Sequence, residues 1–491
     1  MSLKVVKFPD IQLSGRPVFW DTRQFEGAKT NSKPLFVLPS LSDPSRHNIL
    51  EFIKQLKNKY EFETVGNNGE DCDIAVGDSG RYLSEISAAH YAYPSKKLKV
   101  IGVTGTNGKT STCSMLRHLL VHAGKSVCEL GTLGLRLWNP SQKDQPVLNL
   151  ETGFTTPVGP TLQNLFSQLI KMQCEYVVME VSSHSCSLGR IGGTWFEGLV
   201  FTNLTPDHLD FHGDMLSYEN SKKSFFTDYA VSPLRVLDSQ VRHAPALGAV
   251  IVSSDTSADT SGRIFQGISN YKKSIVSLSD VKVLEKSIYG TRLELFESLE
   301  PVFLPVLGDY QVENFLGAAT LLREGGIPCQ SISSFKGISG RMELVKSTDG
   351  KVFFVDYAHT PDALKKSLQT LSALKSKNQK LFVVMGCGGD RDKLKRPQMG
   401  KIAGELADFV IITNDNPRTE NPRDIVSQIE AGISEKSKVH IELDREKAIG
   451  LARKNMSALD ICLVAGKGHE QYQIVGDQKL SFSDQKVILS S

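Results

Sequence analysis

The segment GVTGTNGKTST, residues 102–112, sets Gly105, Gly108, Lys109 and Thr110 shortly behind the apolar run LKVI. That order of strand, turn and helix suits a polyphosphate. Glycines let backbone N–H groups turn inward on β- and γ-phosphates, Lys109 adds a point charge, and the Thr110 hydroxyl can ligate Mg²⁺. The usual phosphate-loop spacing requires a glycine where this chain has Val103. Gly105, Thr106, Asn107 and Gly108, followed by Lys109, Thr110 and Ser111, therefore form a shortened variant. The loop alone does not choose between kinases, GTPases, motors and ligases. Three later residues bear on the choice. Glu180 closes the run YVVMEV and can hold the metal that a triphosphate needs, and His208 in DHLD can be a second ligand. Lys222 in NSKKS, if buried near cations, would have a lowered pKa and an amine able to capture CO₂ as a carbamate. Each also has a plainer reading: a solvated strand end for Glu180, a helix-cap neighbour for His208, a solvated helix face for Lys222. Toward the C-terminus, Arg418 in NDNPRTENP carries a planar guanidinium that can grip a carboxylate through two parallel hydrogen bonds. Asp415-Asn416-Pro417 before it also fits a simple turn after FVIIT. The polar segments GGDRD, with Arg391, and GKGHE, with Gly466 and Glu470, favour a functional reading.

The elements that must position these residues follow from periodicity. LKVIGV, SVCELGT, YVVMEVS and GLVFTNL are apolar runs of strand length, separated by helix-like segments such as TCSMLRHLLVHAG, which ends in a glycine suited to a helix C-cap. A second alternating series begins near Gly340: KVFFVDYA, PDALKKSLQTLSAL, KLFVVMG, ELADFVIIT, KVHIEL and DICLVAGKG. Alternation of this kind predicts mostly parallel sheets covered by helices, with sites beyond the carboxyl ends of strands. KGISG, residues 336–340, reads as a hinge or linker between the two series. At 491 residues the chain is too long for one core. The expected fold is α/β with three domains: a small N-terminal α/β domain over 1–97, a central P-loop ATPase-like, mostly parallel sheet over 98–337, and a C-terminal Rossmann-like α/β domain over 338–491.

Composition excludes several classes. With 40% hydrophobic and 23% charged residues the chain is neither disordered nor fibrous. A net charge of +3 is too mild for a protein that neutralises a nucleic-acid backbone. No apolar run approaches bilayer length, and MSLKVVKFPDIQLSG lacks a signal-peptide pattern. Eight scattered cysteines without close pairs read as reduced thiols of a cytoplasmic protein rather than a zinc site.

Taken in order, TGTNGKT, MEVSSH, FTNLTPDHLDFHG, YENSKK, GDYQVENFLGA, SGRMELV, VDYAHTPDAL, GCGGDRDKLKRP, NDNPRTENP and VAGKGHEQYQIVG resemble the Mur ligases of peptidoglycan synthesis, from about residue 98 to the C-terminus. Before that, only Asp21-Thr22-Arg23 and PLFV resemble the family's uridine-binding domain, with Thr22 where serine is usual. The resemblance implies a cytoplasmic, monomeric ATP-dependent ligase of cell-wall synthesis, hence of cell shape and division. In it ATP phosphorylates the D-glutamate carboxylate of UDP-MurNAc-L-Ala-D-Glu, and the amine of meso-diaminopimelate attacks the acyl phosphate. It implies one Mg²⁺ at Thr110 and Glu180 and a second at His208 and carbamylated Lys222. ATP is expected at residues 105–111, Asn314, Arg341 and, near the ribose, Asp356. Thr22, Thr155, Thr156, Ser182 and Arg190 are expected at the UDP-sugar dipeptide, with Phe154 where a polar residue is common. Arg391, Asp415, Asn416, Pro417, Arg418, Gly466 and Glu470 are expected at the diaminopimelate. A lysine-adding Mur ligase or a folylpolyglutamate synthetase is the neighbouring reading, which Arg418 and the DNPR tetrapeptide oppose. A P-loop nucleotide switch without covalent product is the reading from another class, and it leaves the C-terminal motifs without a use.

Overall fold

The computed structural model describes residues 3, 9–25, 32–69, 72–229, 247–252, 263–264, 271–295 and 300–490. The chain divides into two compact units, Met1–Ser277 with Asn314–Ser331, and Leu278–Glu313 with Ile332–Ser491.

The first unit contains two sheets. A five-stranded sheet runs in the order Ile11–Leu13, Arg16–Phe19, Leu35–Val37, Glu63–Asn67, Ile74–Val76, parallel after its first pair. An eight-stranded sheet follows the order Lys273–Val276, Ala249–Val252, Gly198–Phe201, Lys99–Thr104, Tyr176–Glu180, Val127–Gly131, Gly134–Trp138, Leu148–Leu150. Its first six strands are parallel and its last two antiparallel. Parallel strands are covered on both faces, which is why they read as unbroken apolar runs. Every residue of Tyr176–Glu180 is buried, and every residue of Lys99–Thr104 except the first. The core formed by Val100, Val177, Met179, Leu199 and Phe201 fixes the strands whose carboxyl ends carry the phosphate loop, Glu180 and Thr202.

The second unit has a six-stranded sheet in the order Glu343–Lys346, Val352–Asp356, Ile461–Ala465, Leu381–Met385, Phe409–Ile412, Val439–Ile441. Only its first pair is antiparallel. Helix Pro361–Leu374 starts where expected: the Thr360 hydroxyl accepts from the Ala363 N–H at 3.2 Å and proline opens the first turn. Its Leu364, Leu368 and Leu371, four and three apart, pack with Phe354 and Met385. KGISG, expected to be a linker, lies inside this unit, where a Cβ on Gly340 would come within 2.1 Å of the His469 nitrogen. Two small antiparallel pieces complete it: a three-stranded sheet (Val281–Ser287, Gly290–Leu295, Val302–Leu304) and the hairpin Tyr472–Val475/Gln478–Ser481. Among the described residues no helix is long and apolar enough to cross a membrane.

Candidate active site

In the first unit the strand Lys99–Thr104 delivers the loop Gly105–Gly108 to the start of helix Lys109–His122. Both glycines are necessary. Gly105 has φ +141° and Gly108 φ +86°, and a Cβ on Gly108 would sit 2.2 Å from Asn314 Oδ1. Asn314, expected at ATP, is therefore packed against the loop. The Thr106 and Asn107 N–H groups donate to Asn203 O and Oδ1, each at 2.9 Å. Those two amides thus brace the loop against the end of strand Gly198–Phe201, and the helix N-terminus remains as the anion-facing dipole end. Lys109 Nζ folds back onto the carbonyls of Gly105 (2.9 Å) and Thr106 (2.7 Å).

Glu180 is buried, so it is not a solvated strand end. Its Oε1 accepts from the Thr110 hydroxyl and the Thr132 N–H, both at 2.9 Å, and its Oε2 from the Thr132 hydroxyl at 3.2 Å. Thr132 was invisible to sequence reasoning; the tight turn Gly131–Gly134 between antiparallel strands is the signal that would have found it. A carboxylate with hydroxyl neighbours is an all-oxygen donor set suited to Mg²⁺.

Lys222 lies in helix Met215–Ser224 and is 2% exposed, which rules out the solvated-face reading. Its Nζ donates to Gly105 O at 2.7 Å and stands 4.6 Å over the Tyr218 ring, whose hydroxyl donates to Thr106 Oγ1 at 3.0 Å. Burial, and then the Lys109 ammonium, hold its pKa far below the usual lysine value. His208 has left-handed backbone, φ +53°, and its ring lies 3.4 Å from Asp207 Oδ2 and edge-on to His184 at 4.9 Å. Burial lowers its pKa, so the imidazole is neutral and can act as a ligand. No group of three or more His, Cys, Asp or Glu side chains forms a metal cluster among the described residues.

Thr155 and Thr156 stand in sequence between Phe154 and Pro157, which line a cavity, and are not themselves in its wall. Thr155 Oγ1 is 3.3 Å from Thr132 Oγ1, and the Thr156 hydroxyl donates to Glu180 O at 2.9 Å and accepts from the Ser182 N–H at 3.2 Å. Arg190 donates to Thr156 O at 3.1 Å and lies 5.0 Å over the Phe154 ring. A cavity of ≈ 740 Å³ is walled by Trp20, Asp21, Arg23, Asp43, Phe154 and Arg190 among others. Thr22 is not in its wall, although both its neighbours are, and Asp21 and Arg23 form an ion pair there.

In the second unit, strand ends gather the C-terminal motifs. Asp356 ends its strand buried, accepting from the Ser367 hydroxyl at 2.5 Å; burial raises its pKa. Arg341 stacks 4.6 Å over Tyr357. Asp415 is buried, its pKa raised by burial, and a Cβ on Gly466 would come within 2.4 Å of its Oδ2. Asn416 donates to Glu470 Oε2 at 2.8 Å, and the fully buried Lys467 bonds both, at 3.1 Å to Asn416 Oδ1 and 2.9 Å to Glu470 Oε2. Arg418 has φ +51°; its N–H donates to Ile474 O at 3.1 Å, and its O accepts from the Gly476 N–H at 2.8 Å. Its Nη1 donates to Gly389 O at 2.7 Å. Arg391 is exposed beside it: a Cβ on Gly388 would meet Arg418 Nη1 at 2.9 Å and Arg391 Cγ at 3.7 Å. Pro417 is buried between them in sequence. Sequence reasoning missed Lys467 and the hairpin that holds Arg418, because a lysine between two glycines and a polar hairpin carry no local mark of burial or contact.

Family models match over residues 103–322, described as the Mur ligase middle domain, and over 340–468, described as the Mur ligase glutamate ligase domain. A protein of Chlorobaculum tepidum called UDP-N-acetylmuramoyl-L-alanyl-D-glutamate–2,6-diaminopimelate ligase is 39% identical over 84% of this chain and 80% of its own. One of the same name from Bacillus licheniformis is 36% identical over 89% and 88%. A solved structure of such a ligase aligns with TM-score 0.61 and 28% identity over 96% of this chain and 93% of its own. A folylpolyglutamate synthase of Thermotoga maritima shares the fold at TM-score 0.59 and 15% identity, over 86% of this chain and 94% of its own.

Proposed function

The chain belongs to the Mur ligase family, and from that premise we propose that it adds meso-diaminopimelate to the D-glutamate of UDP-MurNAc-L-Ala-D-Glu with conversion of ATP to ADP and phosphate, in cytoplasmic peptidoglycan precursor synthesis. The observation that carries the reading is the pairing of a phosphate loop and buried carboxylate (Lys109, Thr110, Glu180) with a constellation that suits an amino-acid end (Asp415, Asn416, Arg418, Glu470), both in a chain 39% identical to a ligase of that name.

A carboxylate is a poor electrophile, and phosphorylating one of its oxygens supplies a leaving group. The acceptor oxygen attacks the γ-phosphorus and the bond to the β–γ bridging oxygen breaks, giving ADP and the acyl phosphate. The amine then attacks the acyl carbon, loses a proton, and expels phosphate through a tetrahedral intermediate. Lys109 leaves its two carbonyl partners to screen the phosphates. Residues 105–111, with Asn314, receive the triphosphate, and Arg341 and Asp356 the nucleoside. Thr110 and Glu180 would hold one Mg²⁺, and His208 with carbamylated Lys222 a second, where bound ions would supply charge neutralisation for the transferring phosphoryl group. The lowered pKa of Lys222 supports the carbamate: the neutral amine forms an N–C bond to CO₂ and releases a proton, turning a buried cation into an oxygen ligand.

Thr155, Thr156, Ser182 and Arg190 hold the dipeptide end of the acceptor. The ≈ 740 Å³ cavity takes its nucleotide sugar, with the Asp21-Thr22-Arg23 segment on one side. Arg418 and Arg391 take the far carboxylate of diaminopimelate, and Asp415 and Glu470 its ammonium. Lysine lacks that carboxylate and would leave Arg418 without its ligand, which costs several kcal/mol when the site is desolvated. The functional divisions 1–97, 98–337 and 338–491 are proposed on the same basis, and the chain acts as a monomer. Product mass analysis with ATP, the UDP-linked dipeptide and single amino acids tests the reading. A product heavier by one diaminopimelate less water is expected; equal turnover of lysine defeats the specificity, and no product with any amino acid defeats the function.

A further inference from the structure

Arg396 is fully buried at the start of helix Lys395–Leu406, several residues from any group assigned to a substrate. A guanidinium brought out of water needs its donors matched; Nε has no partner among the described residues, and the two terminal nitrogens converge on two loops and the helix Pro422–Glu430. Nη1 and Nη2 donate to the two oxygens of Glu420, each at 2.9 Å; Nη1 also reaches Gln428 Oε1 at 2.9 Å, and Nη2 Gly388 O at 3.1 Å. Glu420 in turn accepts from the Asp390 N–H at 2.6 Å. Gly388 and Asp390 belong to the segment that carries Arg391, and Glu420 stands two residues after Arg418. Gly389 closes the joint from its other side: its carbonyl accepts from Arg418 Nη1, and a Cβ on it would strike Pro417 O at 1.9 Å. Thr419 also spans the two loops, its hydroxyl donating to Asp390 at 2.9 Å.

We propose that the Arg396–Glu420 pair is a positioning device for amino-acid selection: it clamps the 388–391 loop to the 415–420 loop and so sets the spacing between the guanidinium groups of Arg391 and Arg418. The clamp touches no substrate. Its effect is geometric, because a bidentate grip on a carboxylate tolerates little displacement, and a 1 Å error in such a site can cost roughly a hundred-fold. The fork that recognises the far carboxylate is the part that loosens. An amino acid without that carboxylate makes no use of the fork and is little affected. The clamp therefore governs the ratio between a diaminodicarboxylate and a diaminomonocarboxylate, rather than activation of the acceptor by ATP.

The inference rests on the proposed ligase function, and its test separates the two. Wild type, Arg396→Lys and Glu420→Gln are assayed for ligation of meso-diaminopimelate and of lysine, with KM for each substrate and a melting curve for each protein. Lysine at 396 keeps the charge and loses the fork; glutamine at 420 keeps the shape and loses the charge. The expected result is a KM for meso-diaminopimelate raised roughly ten- to hundred-fold, a diaminopimelate-to-lysine preference reduced by a similar factor, and KM for ATP and for the UDP-linked dipeptide within about two-fold of wild type. Added guanidinium should partly restore the diaminopimelate KM of Arg396→Ala and leave that of wild type unchanged. If the folded variants lose turnover of both amino acids in equal proportion, or keep the wild-type preference, the clamp has no part in selection. If wild type itself forms no product, the ligase reading fails first and the clamp falls with it.

Discussion

Two lysines, one in each unit, are both taken out of water and live in opposite surroundings. Lys222 is 2% exposed and donates to a backbone carbonyl, with another ammonium, Lys109, acting on it and no carboxylate bonded to it among the described residues. Lys467 is 0% exposed and bonds the Glu470 carboxylate and the Asn416 amide oxygen. A buried cation with a partner is an architectural part, and one pushed toward its neutral form is a reagent. The contrast extends to the two sites. The phosphate-loop site is assembled from backbone and short hydroxyls at adjacent strand ends, while the amino-acid end is knitted by ion pairs: Arg396–Glu420 and Arg445–Asp484 join segments 24 and 39 residues apart, and Lys467–Glu470 closes a local turn.

The largest expected effect tests the reagent half of that contrast. Lys222→Ala should lower ligation by roughly 10³-fold with little loss of melting temperature, and a small added carboxylate should restore part of it, as a stand-in for the carbamate; full activity in the variant would put Lys222 back among structural residues. Gly108→Ala comes next. Its φ of +86° and the 2.2 Å approach to Asn314 Oδ1 predict a loop forced open and ATP affinity reduced by at least about ten-fold, measurable by nucleotide titration. Lys467→Met tests the other half: it leaves Glu470 and Asn416 without their buried partner, so unfolding free energy should fall by about 3 kcal/mol or more in denaturant titration. The smallest effect is a difference in acid sensitivity. Burial lowers the His118 pKa to about 4. The unfolded chain therefore takes up the proton first, and the first unit loses stability as pH falls from about 6.5 toward 4, on the order of 1–3 kcal/mol. The Arg396 hydrogen bonds hold Glu420 down to about 2; its contribution is complete above the unfolded carboxylate value and is lost only as pH falls from about 4.5 toward 2. His118→Gln should make the first slope shallower, the rest being carried by His184 and His212, which burial also lowers to about 4, and leave the second.

The parallel strands and the helix Pro361–Leu374 were legible because burial on both faces writes itself into consecutive apolar residues, and an N-cap threonine followed by proline marks a helix start. The antiparallel additions, Gly134–Trp138, Leu148–Leu150 and the hairpin Tyr472–Val475/Gln478–Ser481, were not, since all are short and all but the largely buried Gly134–Trp138 are partly or fully exposed. The site divides the same way. Lys109, Thr110 and Glu180 could be read from a motif and a strand end. Asn203, which braces the loop, and Arg396, which ties two segments together, act over 96 and 24 residues of sequence, and nothing beside them signals the contact. Lys222 needed the fold: in sequence it is one lysine among several on a polar helix, and only its 2% exposure separates it from Lys223.

The central claim is that the acceptor's own carboxylate oxygen attacks ATP. UDP-MurNAc-L-Ala-D-Glu labelled with ¹⁸O in the free D-glutamate carboxylates, incubated with ATP and meso-diaminopimelate, tests this directly through the mass of the phosphate released. The account predicts one ¹⁸O in each phosphate formed per amide bond; phosphate free of ¹⁸O, its fourth oxygen taken from solvent water, would identify a hydrolase or switch and contradict it.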